Sequence, residues 1–387
     1  MSRRTVGVLA TAILGLPLLA ACTENAPAAT EGDPRSLTVR STDTECAVSA
    51  ADAPSGNLRF SVTNGGRQVT EFYLLGEDGL RIIGEVENIG PGLSRDLVLT
   101  APPGSYFTAC KPGMVGEGIR APIAVSDSGE DLTPTGDDKA LVDQASRNYA
   151  AYVKDQTEQL VKKTDQFAAA YVAGRDDEAR ELYPRARVHW ERIETVAESF
   201  GDLDPRMDAR EADLEEGQAW TGWHKLEKDL WPARAEDYTP LTDAERKKFA
   251  DDLVRNTGIL YDRTRNMTFT ADQIGNGSKG LLDEVATGKV TGEEEYWSRT
   301  DLWDFQANVD GARVGFEGLR PLLQAKDPAL DMQIQSKFTA LQALLDQHRS
   351  GDGFVTYDKL GKSEVKELSD AVNALSEPLS KLTAAVV

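Results

Sequence analysis

Residues 160–171, Leu160-Val161-Lys162-Lys163-Thr164-Asp165-Gln166-Phe167-Ala168-Ala169-Ala170-Tyr171, carry the pattern that decides the fold of most of the chain. Leu160, Thr164, Phe167 and Tyr171 recur every three or four residues, which places them on one face of a helix. Similar periodicity with charged opposite faces covers residues 139–173, 176–199, 205–231, 243–266, 271–286, 300–323, 328–349, 357–360 and 363–386. So many helices in sequence predict an all-α helical bundle, arranged as two bundles in tandem.

Boundary signals support these helical segments. Thr242 and Thr270 stand at the head of two of them, where small polar residues are typical N-caps. Pro232, Pro240 and Pro321 mark breaks or first turns, because proline cannot donate a backbone hydrogen bond. We see no exact internal repeat in the sequence.

Residues 36–126 follow a different period. Apolar and polar residues alternate over 37–40 and 58–62, and 97–99 form a short apolar run that suits a more buried strand. Turn residues punctuate the segment at 64–66, 76–79 and 102–104. Several short strands at this spacing predict a small antiparallel β-sandwich. Residues 127–138, which are polar and contain Gly, Ser and Pro, predict a linker to the helical part.

The amino-terminal residues predict export. Arg3 and Arg4 precede an apolar run that is typical of a signal peptide and too short to span a bilayer. The run ends in Leu19-Ala20-Ala21-Cys22, which resembles a lipobox, so we expect removal of residues 1–21 and a lipid anchor on Cys22. The alternative is ordinary cleavage near Ala21. Residues 22–35 suit a flexible tether, which would hold the protein at the outer face of the cell membrane, on the periplasmic or cell-envelope side.

Acidic residues dominate the composition. The chain has 64 Asp and Glu against 43 Lys and Arg, a formal net charge of −21. This balance argues against nucleic-acid binding, which needs a basic surface. It suits either the gathering of cations or simple solubility.

Two cysteines remain once Cys22 carries lipid. Outside the cytoplasm, Cys46 and Cys110 are most simply a disulfide. The alternative is a pair of thiolate ligands for a soft metal such as copper. Both interpretations stay open from the sequence.

Histidine is scarce, with three in the chain, and one of them belongs to a candidate metal motif. His224 and Glu227 are three residues apart in a predicted helix, so they share one face and both can reach one cation. Helical bundles build metal sites from Glu and His pairs on facing helices. The alternative is an ordinary hydrogen bond between neighbouring side chains.

Acidic stretches offer further ligands. His189 is followed by Glu191 and Glu194, one helical turn apart, and a carboxylate row facing His224 would suit iron, manganese or zinc. A third stretch contains Glu293, Glu294 and Glu295. Auxiliary ligands predicted from these stretches are Glu198, Asp202, Glu295 and Asp301. The alternative is a solvated acidic face.

Longer stretches carry a family resemblance. They are residues 69–73, 84–92, 109–114, 187–194, 198–204, 224–227, 291–295 and 301–305. In these stretches the chain resembles the EfeO/EfeM family, the extracytoplasmic component of an EfeUOB-type iron-uptake system, in its long form with an N-terminal cupredoxin-like domain. The resemblance implies a multidomain protein, with a cupredoxin-like β-sandwich at 36–126 and an imelysin-like metal-binding domain at 139–387.

The resemblance also implies a function without catalytic residues. Iron, as Fe2+ or Fe3+, would be captured by His224, Glu227, Glu191, Glu194 and His189 and passed to a membrane iron permease (EfeU-like), beside a secreted haem peroxidase (EfeB-like). The imelysin name carries an association with peptidases, so one alternative is a zinc metallopeptidase at His224 and Glu227. No His-Glu-x-x-His signature or phosphate-binding glycine loop supports an enzyme. The other alternative is a structural lipoprotein without metal.

Two departures from the family pattern bear on further sites. We expect a histidine after Glu295, where this chain has Arg299, which weakens an auxiliary site there. No histidine lies between residues 23 and 188, so a two-histidine blue-copper site is excluded from the sandwich. The copper or second-metal alternative therefore uses Cys46, Glu71, Cys110 and Glu117, and a copper-dependent ferroxidase-like activity would depend on it.

Overall fold

Short strands separated by turns form the first part of the computed structural model, which describes residues 32–114, 116–130, 136–214 and 217–387 without the side chains of Asp137 and Glu198. The predicted signal peptide, the lipid anchor at Cys22 and most of the tether lie outside the described residues. The strands are β1 (Ser36–Ser41), β2 (Cys46–Val48), β3 (Asp52–Pro54), β4 (Gly56–Asn64), β5 (Thr70–Leu75), β6 (Ile82–Ile89), β7 (Ser94–Ala101), β8 (Gly104–Pro112) and β9 (Ile119–Ser126). They occupy the segment predicted to be β-structure, with turns at the predicted positions.

Two sheets are formed by these strands, in the orders β2-β1-β4-β7 and β3-β9-β8-β5-β6. Alternating side chains of β4, such as Leu58, Phe60 and Val62, are fully buried, and the ring of Phe60 packs on that of Phe72 in the other sheet. The prediction of a purely antiparallel sandwich is wrong in two places. β1 pairs parallel with β4, and β3 pairs parallel with β9, because the chain changes sheets between β2 and β3 before it returns beside β1.

Helices make up the second part, as predicted. They are α1 (Gly136–Val172), α2 (Asp176–Glu191), α3 (Glu194–Glu198), α4 (Asp204–Met207), α5 (Trp223–Leu230), α6 (Asp243–Thr264), α7 (Ala271–Thr287), α8 (Asp301–Lys326), α9 (Pro328–Leu345), α10 (Lys362–Leu379) and α11 (Leu382–Val386). A two-residue strand pair, β10 (Arg349–Ser350) and β11 (Gly353–Phe354), follows α9. The buried apolar side chains from α1 to α11 form one contiguous cluster, which joins the predicted tandem bundles in one core.

Capping confirms two predicted helix starts. The Thr242 hydroxyl accepts the N–H of Glu245, whose carboxylate accepts the N–H of Thr242 at 2.9 Å. The Thr242 pair is reciprocal and satisfies two backbone donors that have no partner within the helix. At the start of α7, the Gln273 side chain accepts the N–H of Thr270 at 3.0 Å.

Two predicted helices are wrong in extent. Residues 176–199 are interrupted after Glu191, since Ile193 has φ −132° and α3 begins at Glu194. In the described part of residues 205–231, which omits 215 and 216, the structure has α4, a short 3-10 turn and α5. Gly222 has φ +90°, a conformation outside any helix, so α5 begins only after it. Both interruptions place acidic or imidazole side chains toward the same interior point.

Helix α7 lies against the sandwich. Asp272 accepts the N–H of Thr100 at 2.9 Å, and the Asn276 amide donates to the carbonyl of Val98 at 2.8 Å. Both contacts satisfy backbone groups of β7, so the sandwich and the helices form one compact unit from residue 34 onward. Within the described residues, no helix combines the length and apolar character needed to cross a membrane.

Candidate metal centre

His224 and Glu227 lie on one face of α5, as predicted from their spacing. Both side chains are fully buried, and Nδ1 of His224 is 3.2 Å from Oε2 of Glu227. The other oxygen of Glu227 accepts the backbone N–H groups of Trp297 at 2.8 Å and Ser298 at 2.6 Å. Glu227 is therefore held in place from the segment before α8, and one of its oxygens remains directed toward the histidine.

The second nitrogen of His224 faces two other acidic residues. Nε2 is 3.4 Å from Oδ1 of Asp208 and 3.5 Å from Oε1 of Glu294, while Oε1 of Glu295 lies 4.0 Å from Nδ1. Ligand atoms lie within 4.8 Å of one another in three overlapping groups: Asp208, His224 and Glu294; His224, Glu227 and Glu295; and Glu191, Glu194, Asp208 and Glu294. Nitrogen and carboxylate oxygens are thus arranged around one interior point.

Gly222 allows α5 to approach Asp208. A β-carbon at Gly222 would lie 2.2 Å from the carbonyl oxygen of Met207, the residue before Asp208. The absence of a side chain lets the first turn of α5 pack directly on this backbone. This close approach brings His224 to the carboxylate of Asp208.

Arg187 is the central cation of the cluster. It lies on α2, is fully buried, and its side-chain nitrogens are within ion-pair distance of the carboxylates of Glu191, Asp208, Glu294, Glu295 and Asp304. A guanidinium has five N–H donors in a fixed plane, which suits it to several carboxylates at once. The indole N–H of Trp190 also donates to Asp208 at 2.7 Å.

Lys289 is the second buried cation. Its ammonium is 3.1 Å from Oε2 of Glu194 and 3.3 Å from Oε2 of Glu191. The Asn308 amide donates to the same two carboxylate oxygens, at 3.1 and 3.2 Å. Glu191 and Glu194 therefore converge, although the helix that was predicted to join them is interrupted.

Negative charge exceeds positive charge in this cluster. Among the described residues, two buried cations, Arg187 and Lys289, and the partly exposed Arg210, 3.7 Å from Glu294, face eight buried carboxyl groups. These belong to Glu191, Glu194, Asp208, Glu227, Glu294, Glu295, Asp301 and Asp304. Both oxygens of Asp304 and one of Asp301 are buried without a hydrogen-bond partner. Buried carboxylates of this kind are costly unless a cation or a proton neutralises them.

Raised pKa values accommodate part of this excess of negative charge. Burial, with the charge of Glu295, raises the pKa of Glu227 to about 7. Burial raises the pKa of Asp301 to about 7 and that of Asp304 well above its usual range. Burial and the Arg187 charge lower the pKa of His224, but the surrounding carboxylates outweigh them and raise it overall. Protons thus compensate for charge that a metal ion would also compensate.

The predicted ligands are only partly brought together. His224, Glu227, Glu191, Glu194 and Glu295 lie in the cluster, and Asp301 accepts the N–H of Glu295 at 3.0 Å beside it. His189 lies elsewhere on α2, where Nδ1 is 2.8 Å from the Gln156 side chain, because its position is on another face of the helix from Glu191. Asp202 pairs with Arg263 at 2.6 Å instead. The side chain of Glu198 lies outside the described residues.

Sequence reasoning missed several members of the cluster. Asp208 was not predicted as a ligand, and Glu294 was noted only as part of an acidic run. Arg187 and Lys289 were also missed, since a cation gives no metal-ligand signal. One signal in the sequence could have indicated a buried charged cluster. Arg187 and Glu191 are four residues apart and therefore lie on the same, otherwise apolar, face of α2.

In the sandwich, Cys46 and Cys110 form a disulfide between the two sheets. Both sulfur atoms belong to this bond, so in this structure neither cysteine is a free thiolate that could bind copper. Glu71 is buried and forms an ion pair with Lys111 at 3.4 Å, whereas Glu117 is exposed. In this structure the four residues are therefore not gathered as one set of metal ligands.

Comparisons with known proteins agree with this architecture. The sequence model of the imelysin family, classed as peptidase M75, matches residues 145–382. An iron uptake system component EfeO from Yersinia pestis is 36% identical over 383 residues, covering 98% of this chain and 96% of that protein. EfeO of Escherichia coli O157:H7 is 35% identical over 369 residues, with 94% and 95% covered. An Efem/EfeO family lipoprotein from Staphylococcus haemolyticus is 43% identical over 250 residues, covering 64% of this chain and 85% of that protein.

Proposed function

The chain belongs to the imelysin family and is an EfeO-type member of it, and on that premise we propose that it binds iron at the buried centre around His224 and delivers the ion to a membrane permease. The names of its relatives support an iron-uptake role. The role is that of a binding component rather than of an enzyme.

The observation that carries this proposal is the shared position of His224 in two of the three ligand groups. One imidazole and several carboxylates form a hard nitrogen and oxygen donor set, which suits iron and other divalent or trivalent cations. The oxygens of Asp304, which accept no hydrogen bond, and the excess of buried carboxyl groups favour occupation by a cation. We propose His224, Glu227 and Glu295 as the first ligands, with Asp208 and Glu294 on the other side of the ring.

Delivery depends on location. The Staphylococcus haemolyticus relative is named a lipoprotein, which supports export and the predicted anchor at Cys22. Tethering raises the effective concentration of the bound iron near a permease in the same membrane. A secreted haem peroxidase is the further proposed partner.

Isothermal titration with Fe2+ under anaerobic conditions, and with chelated Fe3+, tests the centre. His224→Ala should weaken binding by more than the roughly 10–100-fold that loss of an outer-shell partner costs. His189→Ala is the matched control, because His189 lies on α2 beside Gln156 and outside the cluster. Equal binding by the His224→Ala variant and the wild type would refute the ligand assignment.

The same preparations separate the alternatives. Cleavage of a peptide library by the zinc-loaded protein, lost in Glu227→Ala, would replace the proposal with a metallopeptidase, which needs an open coordination position and a general base. Failure of the wild type to retain any transition metal would support the structural alternative. We expect neither result.

A further inference from the structure

Lys289 places an ammonium group among the acidic side chains of the centre. The side chain is 1% exposed, and Nζ is 3.1 Å from Glu194 and 3.3 Å from Glu191. It is also 3.8 Å from Glu294. These three residues, with Asp208, form the all-carboxylate group whose oxygens lie within 4.8 Å of one another. The ammonium therefore contacts three of the four carboxylates of this group, and one of them, Glu294, also faces Nε2 of His224 in the proposed iron centre.

Resting on the proposed function, we propose that Lys289 is a resident cation that incoming iron displaces, and that this competition makes the bound iron releasable. Arg187 already shares Glu191 and Glu294 with Lys289. A metal ion bound to the same carboxylates would add a further positive charge beside the ammonium, and like charges repel strongly in an environment of low dielectric constant. Part of the binding free energy of iron is then used to move the ammonium. A delivery protein benefits from such a limit on affinity, since its cargo has to leave again.

Glu284 offers the displaced ammonium a new partner. It lies in the last turn of α7, and its Oε2 is 3.9 Å from Nζ of Lys289. Its side chain is 28% exposed, whereas those of Glu191 and Glu194 are 0% and 6% exposed. A movement toward Glu284 therefore carries the ammonium toward solvent without leaving it unpaired.

Arg187 is unsuited to the same movement. Its planar guanidinium faces five carboxylates, which come from α2, from the residue that follows α4, from the segment before α8 and from α8 itself. The lysine side chain has a flexible four-carbon stem and a compact ammonium with three donors. Of the two buried cations within the cluster, Lys289 is thus the one that can exchange partners.

The first test compares Fe2+ binding by the wild type, Lys289→Met and Lys279→Met. Lys279 on α7 is the matched control because it is also a buried lysine. It pairs with Asp283 and not with the carboxylates around Lys289. We expect Lys289→Met to bind Fe2+ at least tenfold more tightly and to release it more slowly to a chelator. Lys279→Met should behave as the wild type. Equal or weaker binding by a folded Lys289→Met protein would overturn the proposal.

The second test uses Glu284→Gln. This variant should weaken Fe2+ binding while Lys289 is present, and should have no effect in the Lys289→Met background. An equal effect in both backgrounds would show that Glu284 acts independently of the lysine and would refute its role. Should Lys289→Met fail to fold, Lys289→Gln replaces it in both measurements. Wild-type protein that binds no iron would overturn the function itself, whereas iron binding that requires His224 but ignores Lys289 would overturn only this inference.

Discussion

Gly222→Ala is the substitution that most directly tests how the centre is assembled. Gly222 has φ +90° and ψ −162°, a region that is essentially restricted to glycine, and occupying it with another residue costs about 1–3 kcal/mol. The new β-carbon would also lie 2.2 Å from the carbonyl oxygen of Met207 and 2.8 Å from that of Arg206. Overpacking of this kind costs about 1–3 kcal/mol in other proteins. The free energy of unfolding should therefore fall by about 2–6 kcal/mol, a large part of the usual 5–15 kcal/mol.

The assay is urea unfolding followed by far-ultraviolet circular dichroism, which reports the helical part. Gly174→Ala is the control, because Gly174 has φ +68° but nothing within 4 Å of the added carbon. The free energy of unfolding of Gly174→Ala should fall only by the roughly 1–2 kcal/mol that a left-handed conformation costs an alanine. Gly222→Ala should in addition weaken iron binding, since a shifted α5 moves His224 away from Asp208. Equal losses of stability in the two variants would refute the close-packing argument.

Three further predictions concern other parts of the fold. Cys110→Ser opens a disulfide between residues 64 positions apart and should lower the stability of the sandwich by about 4 kcal/mol, while leaving iron binding unchanged in titrations. Thr242→Ala removes the capping box of α6 and should cost about 1 kcal/mol of unfolding free energy, measured in urea. Burial, with the charges of Glu71 and Glu284, raises the pKa of Glu85 to about 8, so its contribution to stability is present below about pH 4.5 and is lost as the pH rises through 8. Glu85→Gln should flatten that decline between pH 5 and 8, and an unchanged slope would show that Glu85 is not the responsible group.

The local patterns of the sequence predict much of the fold. Alternation at residues 58–62 and helical periodicity at 160–171 identify strand and helix because the two structures bury different residue spacings. The helix starts at Thr242 and Thr270 depend on local interactions, so the sequence predicts them as well. The parallel strand pairs and the breaks near Ile193 and Gly222 were not, since they depend on contacts with distant parts of the chain.

In the metal centre too, the sequence determined some features and the tertiary structure determined the others. A spacing of three residues within a helix determined that His224 and Glu227 share a face, and the number of cysteines reduced Cys46 and Cys110 to a pair with two interpretations. Only the tertiary structure decided which carboxylates meet the histidine, because Asp208 and Glu294 come from segments 16 residues before and 70 residues after it in the sequence. It also placed Arg187 and Lys289 among those carboxylates and joined the two cysteines. Helical period fixes the direction of a side chain relative to its own axis, whereas the packing of helices against one another determines which side chains it meets.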